Sequence, residues 1–143
     1  MGYTVSKVAE RTGLTISTLR YYDKEGLLPF VDRTAGGARN FKESDFEWLA
    51  VITCLKQTGM PIKRIKQFID WCLEGDATLE RRLNVFVEHK KEVNAQIAAL
   101  KEYMKKIDYK IWYYETAISA GTEAVHNGEK CKLLDKDAEE NDL

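Results

Sequence analysis

Proline is almost missing: Pro29 and Pro61 are the only two in 143 residues. Neither proline nor glycine occurs between Thr78 and Ala120, so nothing there interrupts a helix. The three cysteines, Cys54, Cys72 and Cys131, are too few and too scattered for a disulfide framework and are expected as reduced thiols. The two histidines, His89 and His126, stand apart from any carboxylate or cysteine at ligand spacing and are expected on the surface. No Cys-x-x-Cys or His-x-x-x-His pair is present, so neither a metal site nor a cofactor is expected. No apolar run is long enough to cross a bilayer, and the opening MGYTVSKVAE lacks the apolar centre of a signal peptide, so a cytoplasmic protein without a membrane partner is expected. Nucleophile motifs, phosphate loops and dinucleotide fingerprints are also missing, which argues against an enzyme. There are no internal repeats and no low-complexity tract.

What is present describes a globular chain. It is 44% apolar and 31% charged, enough to bury one modest core. The net charge of -1 conceals an asymmetry. Residues 1–66 carry eleven Lys or Arg against seven Asp or Glu, whereas residues 76–143 carry eleven against fourteen. The front half is therefore the candidate nucleic-acid face.

The stretch Leu14–Leu28, LTISTLRYYDKEGLL, reads as a recognition helix. Thr15 is placed to cap it, Ile16 and Leu19 give an inward face, and Gly26 supplies a stop. Ser17, Thr18, Arg20 and Tyr21 point outward, a set of hydroxyls, a guanidinium and a phenol that suits phosphates and base edges in a major groove. Before it, Thr4 and Gly13 bracket a short helix carrying Val5, Val8 and Ala9, which makes the pair a helix-turn-helix. After Pro29, PFVDRTAGGARNF turns through Gly36 and Gly37 as a small hairpin, or wing, with Arg33 and Arg39 on its two sides.

Two further helices follow. One runs from Glu43 to Thr58 with Phe46, Trp48, Leu49, Ile52 and Leu55, and stops at Gly59. The other opens at Pro61 and carries Ile62, Ile65, Phe68, Ile69 and Leu73 inward, up to Gly75. From about Thr78 to Ala120 the spacing predicts one helix on the order of 60 Å long. Leu79, Leu83, Phe86, Val93, Ile97, Leu100, Met104, Ile107, Ile111, Tyr114 and Ile118 follow a four-three alternation broken only at Lys90, a heptad seam that calls for a partner helix. The fold expected is mainly α: a winged helix-turn-helix DNA-binding domain over residues 1–75, a coiled-coil dimerisation helix over residues 76–120, and a short polar and acidic tail over residues 121–143 ending in LLDKDAEENDL.

On these residues the chain resembles the MerR family of bacterial transcription regulators. YTVSKVAERTGLTISTLRYYDKEGLLP, the wing with Arg33, Gly37, Arg39 and Phe41, the two helices to Gly75 and the long helix all match, covering residues 3 to 120. The resemblance implies a homodimer whose long helices pair antiparallel and set two recognition helices on successive major grooves of double-stranded promoter DNA. It further implies bending and untwisting of a promoter whose RNA polymerase contact elements lie too far apart. Two positions depart from the family: Phe41 replaces a tyrosine, and Pro61 replaces a hydroxyl cap, although the amides at Ile62 and Lys63 could still face phosphate.

Only about twenty residues follow the long helix, too few for a separate effector domain. Metal-sensing relatives carry a cysteine at the start of the long helix and a pair after it. Here Thr78 and Leu79 stand at the first place, with Cys131 alone near the second. A subgroup that responds to aldehydes and other thiol-reactive electrophiles carries a cysteine matching Cys54, set between the DNA-binding domain and the dimer helix. Two readings of Cys54 stay open, a sensor thiol and a small buried core residue sharing a face with Phe46 and Ala50. Within its own helix no N-terminus or basic residue one turn away would assist ionisation. Cys72 and Cys131 read as structural or incidental. Two other functions stay open as well: a thiol-redox protein, and a coiled-coil adaptor with incidental DNA binding.

Overall fold

The computed structural model describes residues 2–129. Cys131 and the acidic run at the end of the chain lie outside the described residues.

Helix α1 (Val5–Thr12) begins where the Thr4 hydroxyl accepts the Lys7 N–H and ends at Gly13, whose φ of 74° is the left-handed conformation that releases the chain into the turn. Helix α2 (Ile16–Lys24) begins likewise at Thr15, which accepts the Thr18 N–H. Strands β1 (Asp32–Arg33) and β2 (Arg39–Asn40) pair antiparallel, Arg33 opposite Arg39, around a turn in which Gly37 has φ 87°. A bridge from Tyr3 to Phe41 joins the wing to the N-terminus.

Helix α3 (Glu43–Gln57) starts at a buried carboxylate. Asp45 accepts the Lys42 N–H at 2.9 Å and the Lys42 ammonium at 3.1 Å, so the charge is both neutralised and used as a cap. Helix α4 (Ile62–Glu74) follows Pro61, which caps it without a side-chain hydrogen bond. Val8, Leu19, Leu27, Leu28, Phe41, Leu49, Ile52, Leu55, Ile65 and Ile69 form the core, taking one stripe from each helix and the inner side of the wing. Leu73, expected to face inward, is instead exposed in the last turn of α4, where the helix runs out next to Gly75.

After Gly75 a 3-10 turn (Asp76–Thr78) leads into α5 (Leu79–Ala120), an unbroken helix of 42 residues. The chain divides into two compact units, residues up to Lys91 and residues from Glu92. The sequence closes the first domain at Gly75, but the first three turns of α5 belong to the front unit. Val85 is buried in its core and the Phe86 ring meets Phe68 edge to face at 5.1 Å. That contact draws Phe86 toward its own chain, although it stands on the heptad seam.

In the second unit the chain turns back at Gly121, and a 3-10 turn (Glu123–His126) buries His126 against α5. This corrects the expectation of a surface histidine without a carboxylate neighbour. The imidazole stacks on Tyr113 at 4.2 Å, its Nδ1 lies 2.9 Å from Glu129, and its Nε2 lies 2.6 Å from the Thr116 hydroxyl and 3.0 Å from the Tyr113 carbonyl. The polar segment after Gly121 is thus folded onto the helix as far as Glu129. His89 is likewise half-buried, with Nε2 2.6 Å from the Thr58 hydroxyl.

Candidate nucleic-acid interface

Leu19 and Tyr22 turn into the core and thereby fix the rotation of α2, leaving Ser17, Arg20 and Tyr21 exposed on the opposite side. Thr15 and Thr18 have a different local role. Their hydroxyls lie 2.8 Å apart, and Thr15 accepts the Thr18 N–H at 3.0 Å, so this pair builds the start of the helix. The arrangement presents a guanidinium and a phenol beside a helix N-terminus, all carried on a rigid element, which is what recognition of a phosphate backbone and base edges requires.

The wing is held against this helix by charge. Asp23, in the last turn of α2, accepts from Arg39 Nε at 2.9 Å and also from Arg39 Nη2, while Arg39 Nη1 donates to the Val31 carbonyl at 3.3 Å. Arg33 lies on the opposing strand, mostly exposed, with Nη1 donating to the Gly37 carbonyl at 3.0 Å and Nη2 3.9 Å from the Asp23 carboxylate. Arg20, Tyr21 and Arg33 are thus exposed side chains, whereas Arg39 is committed inside the protein. Sequence spacing gives no reason to single out Asp23, because its partner lies sixteen residues away across the hairpin. Lys63 is exposed in the first turn of α4, one residue beyond Ile62.

A second cluster joins α1 to α3. The Tyr3 hydroxyl donates to Glu43, Arg11 Nη1 donates to the same oxygen at 3.1 Å, and the Arg11 guanidinium lies over the rings of Phe46 and Tyr3. The Tyr3 hydrogen bond, followed by the one from Arg11, holds the Glu43 carboxyl below its ordinary value.

Cys54 is exposed in the single chain. It opens on a hollow of about 430 Å³ lined by Thr12, Leu14, Phe46, Leu49, Ala50 and Thr53. The hollow is walled by α3 and the end of α1 with the turn after it. Cys72 is half-buried, and burial pushes its thiol up despite Arg82 Nη1 at 4.0 Å.

On α5 the seam residues Ile97, Leu100, Met104, Ile107 and Ile111 are all exposed and Val93 is half-exposed, with Leu100 at 65%. Among the described residues no helix is long and apolar enough to cross a membrane.

The comparisons agree with this architecture. The family described as MerR HTH family regulatory protein matches residues 3–70, and the one described as MerR, DNA binding matches residues 46–109. An HTH-type transcriptional regulator of Haemophilus influenzae is 46% identical over 122 residues, covering 85% of this chain and 90% of its own. AdhR, an HTH-type transcriptional regulator of Bacillus subtilis, is 35% identical over 89 residues, covering 62% and 64%. The crystal structure of HiNmlR, a MerR family regulator lacking the sensor domain and bound to promoter DNA, superposes with a TM-score of 0.80 at 45% identity, covering 87% of this chain and 99% of that one. With its helix-turn-helix, wing and long terminal helix matched in both sequence and shape, the chain belongs to the MerR family of DNA-binding transcription regulators, a non-enzymatic class.

Proposed function

We propose that the protein acts as a homodimer whose α5 helices pair antiparallel, binds a near-palindromic promoter in the cytoplasm, and regulates RNA polymerase there by bending and untwisting the DNA. The observation that carries this reading is the apolar stripe of α5. A row such as Ile97, Leu100, Met104, Ile107 and Ile111, exposed in the single chain, calls for another surface to cover it. Antiparallel pairing gives each protomer the same surface, the closed two-fold arrangement that limits assembly to a dimer. It also separates the two recognition helices so that each addresses its own half-site. HiNmlR, 45% identical and bound to promoter DNA in its crystal structure, supports promoter binding by this chain.

In this reading Ser17, Arg20, Tyr21, Arg33 and Lys63 face the DNA, Thr15 and Thr18 present the first turn of α2, and Gly37 allows the wing to approach the backbone. Cys54 is the candidate trigger. Its thiol stands open at the mouth of a hollow beside α1 and α3, where an aldehyde or oxidant adduct would press on the DNA-binding unit. A salt titration of binding to promoter duplex, with sedimentation of the same sample, tests the core of the proposal. A monomer, or binding with no salt dependence, rejects it.

A further inference from the structure

We infer that Asp23 is a positioning residue for DNA binding: its carboxylate fixes the wing to the recognition helix through Arg39 and holds Arg33 loosely enough to release it to a phosphate. The inference rests on the interface proposed above. The wing has two residues per strand, and a hairpin of that size has little stability of its own. Its placement must therefore come from contacts elsewhere, and the Asp23 clamp is one that leads directly to α2. Arg39 engages both carboxylate oxygens, and the two side chains are only 20% and 26% exposed. Two parallel charge-assisted bonds fix an angle as well as a distance.

Arg33 shares the same carboxylate on unequal terms. It is 55% exposed and 3.9 Å away. An arriving phosphate competes easily for such a pair, and when Arg33 leaves, Asp23 is still neutralised by Arg39. Without Arg39 the carboxylate would stand unpaired on a face that meets polyanion. Elementary electrostatics and positioning thus predict opposite signs for the loss of Asp23: the first predicts tighter binding to any DNA, the second weaker binding to the correct sequence.

The test uses the full chain, a duplex of about 30 base pairs selected from a random pool by the parent protein, and a scrambled duplex of equal length. Asp23→Asn is expected to lose affinity for the selected duplex about tenfold, while affinity for the scrambled one stays level or rises. Arg39→Gln is expected to lose the same selectivity and, with the carboxylate left bare, affinity for both duplexes, while the double variant is no worse than Asp23→Asn and keeps the parental salt slope. The reversed pair, Asp23→Arg with Arg39→Glu, should recover part of the selectivity, which general damage to the fold would not allow. Selected-duplex affinity equal to or above the parent in Asp23→Asn overturns the inference. A salt slope reduced by about 1 in the double variant also does so, by making Arg39 itself a phosphate contact. Arg20→Ala and Arg33→Ala serve as references: if they too bind like the parent, the interface reading fails, and if they weaken while Asp23→Asn does not, the positioning role alone fails.

Discussion

The Thr58 hydroxyl lies 2.6 Å from Nε2 of His89 and donates to the Cys54 carbonyl at 2.7 Å, so the end of α3 is joined to α5 through one side chain. With the hydroxyl proton committed to a carbonyl, the imidazole nitrogen is the donor to Thr58. Thr58→Val keeps the shape and removes the link. It is expected to cost about 1 kcal/mol, with His89→Leu similar and the double variant less than their sum. Urea unfolding at constant m-value measures this, and full additivity would deny the coupling.

The DNA face makes a separable prediction. Arg33→Ala removes a proposed backbone contact and should weaken all sequences about equally, lowering the salt slope by about 1. Arg20→Ala, on the exposed side of α2, should relax discrimination at one base by about 1–3 kcal/mol if it reads a base edge. Operator affinity that is unchanged in Arg20→Ala, with the fold intact by circular dichroism, would remove Arg20 from the interface.

Assembly turns on the middle of α5. Leu100→Asp puts a charge where the proposed partner helix packs, without a counter-ion, at a cost of several kcal/mol. Monomers are expected by light scattering, with operator binding lost because the two half-sites are no longer engaged together. A stable dimer in this variant would mean that another surface joins the subunits.

For sensing, exposure separates the two described thiols. Cys54 is exposed, whereas the Cys72 thiol is half-buried and pushed up by that burial, so it stays protonated at neutral pH. Mass spectrometry during limited alkylation should find Cys54 modified first. Cys54→Ser should keep dimerisation and operator affinity but lose the transcriptional response to an aldehyde or oxidant, while Cys72→Ser and Cys131→Ser retain it. A parental response in Cys54→Ser would leave the effector to be sought elsewhere.

Acid should act on the contact between α1 and α3. Glu43 is held below its ordinary value by Tyr3 and Arg11, so it binds a proton less readily folded than unfolded. Its contribution is therefore present above the ordinary glutamate value and is lost as pH falls through the lower folded value. Glu43→Gln should lower the urea midpoint a little at neutral pH, the effect being small because the site is exposed, and the two midpoints should converge in that acid window. A pH profile identical to the parent would show that the cluster is not coupled to folding.

Local rules were enough for the elements themselves. Thr4 and Thr15 cap because a hydroxyl can accept the free amide three residues on, and Gly13, Gly26 and Gly37 mark turns because a residue with a side chain resists positive φ. The α5 stripe was legible because its heptad period repeats over many turns. These signals run along the chain at fixed spacing, and with the quoted motifs they carried the family. What only the tertiary structure decided are meetings across loops. Arg39 belongs to Asp23 rather than to solvent, Val85 and Phe86 extend the front unit past Gly75, Cys54 opens outward, and His126 is buried on Tyr113. Each depends on the angle through which a short turn redirects a helix or strand, and no periodicity in the sequence encodes that angle. The division of labour between Arg33 and Arg39 has the same origin: two arginines alike in the wing sequence differ because one carboxylate on α2 lies within reach of both and closer to one.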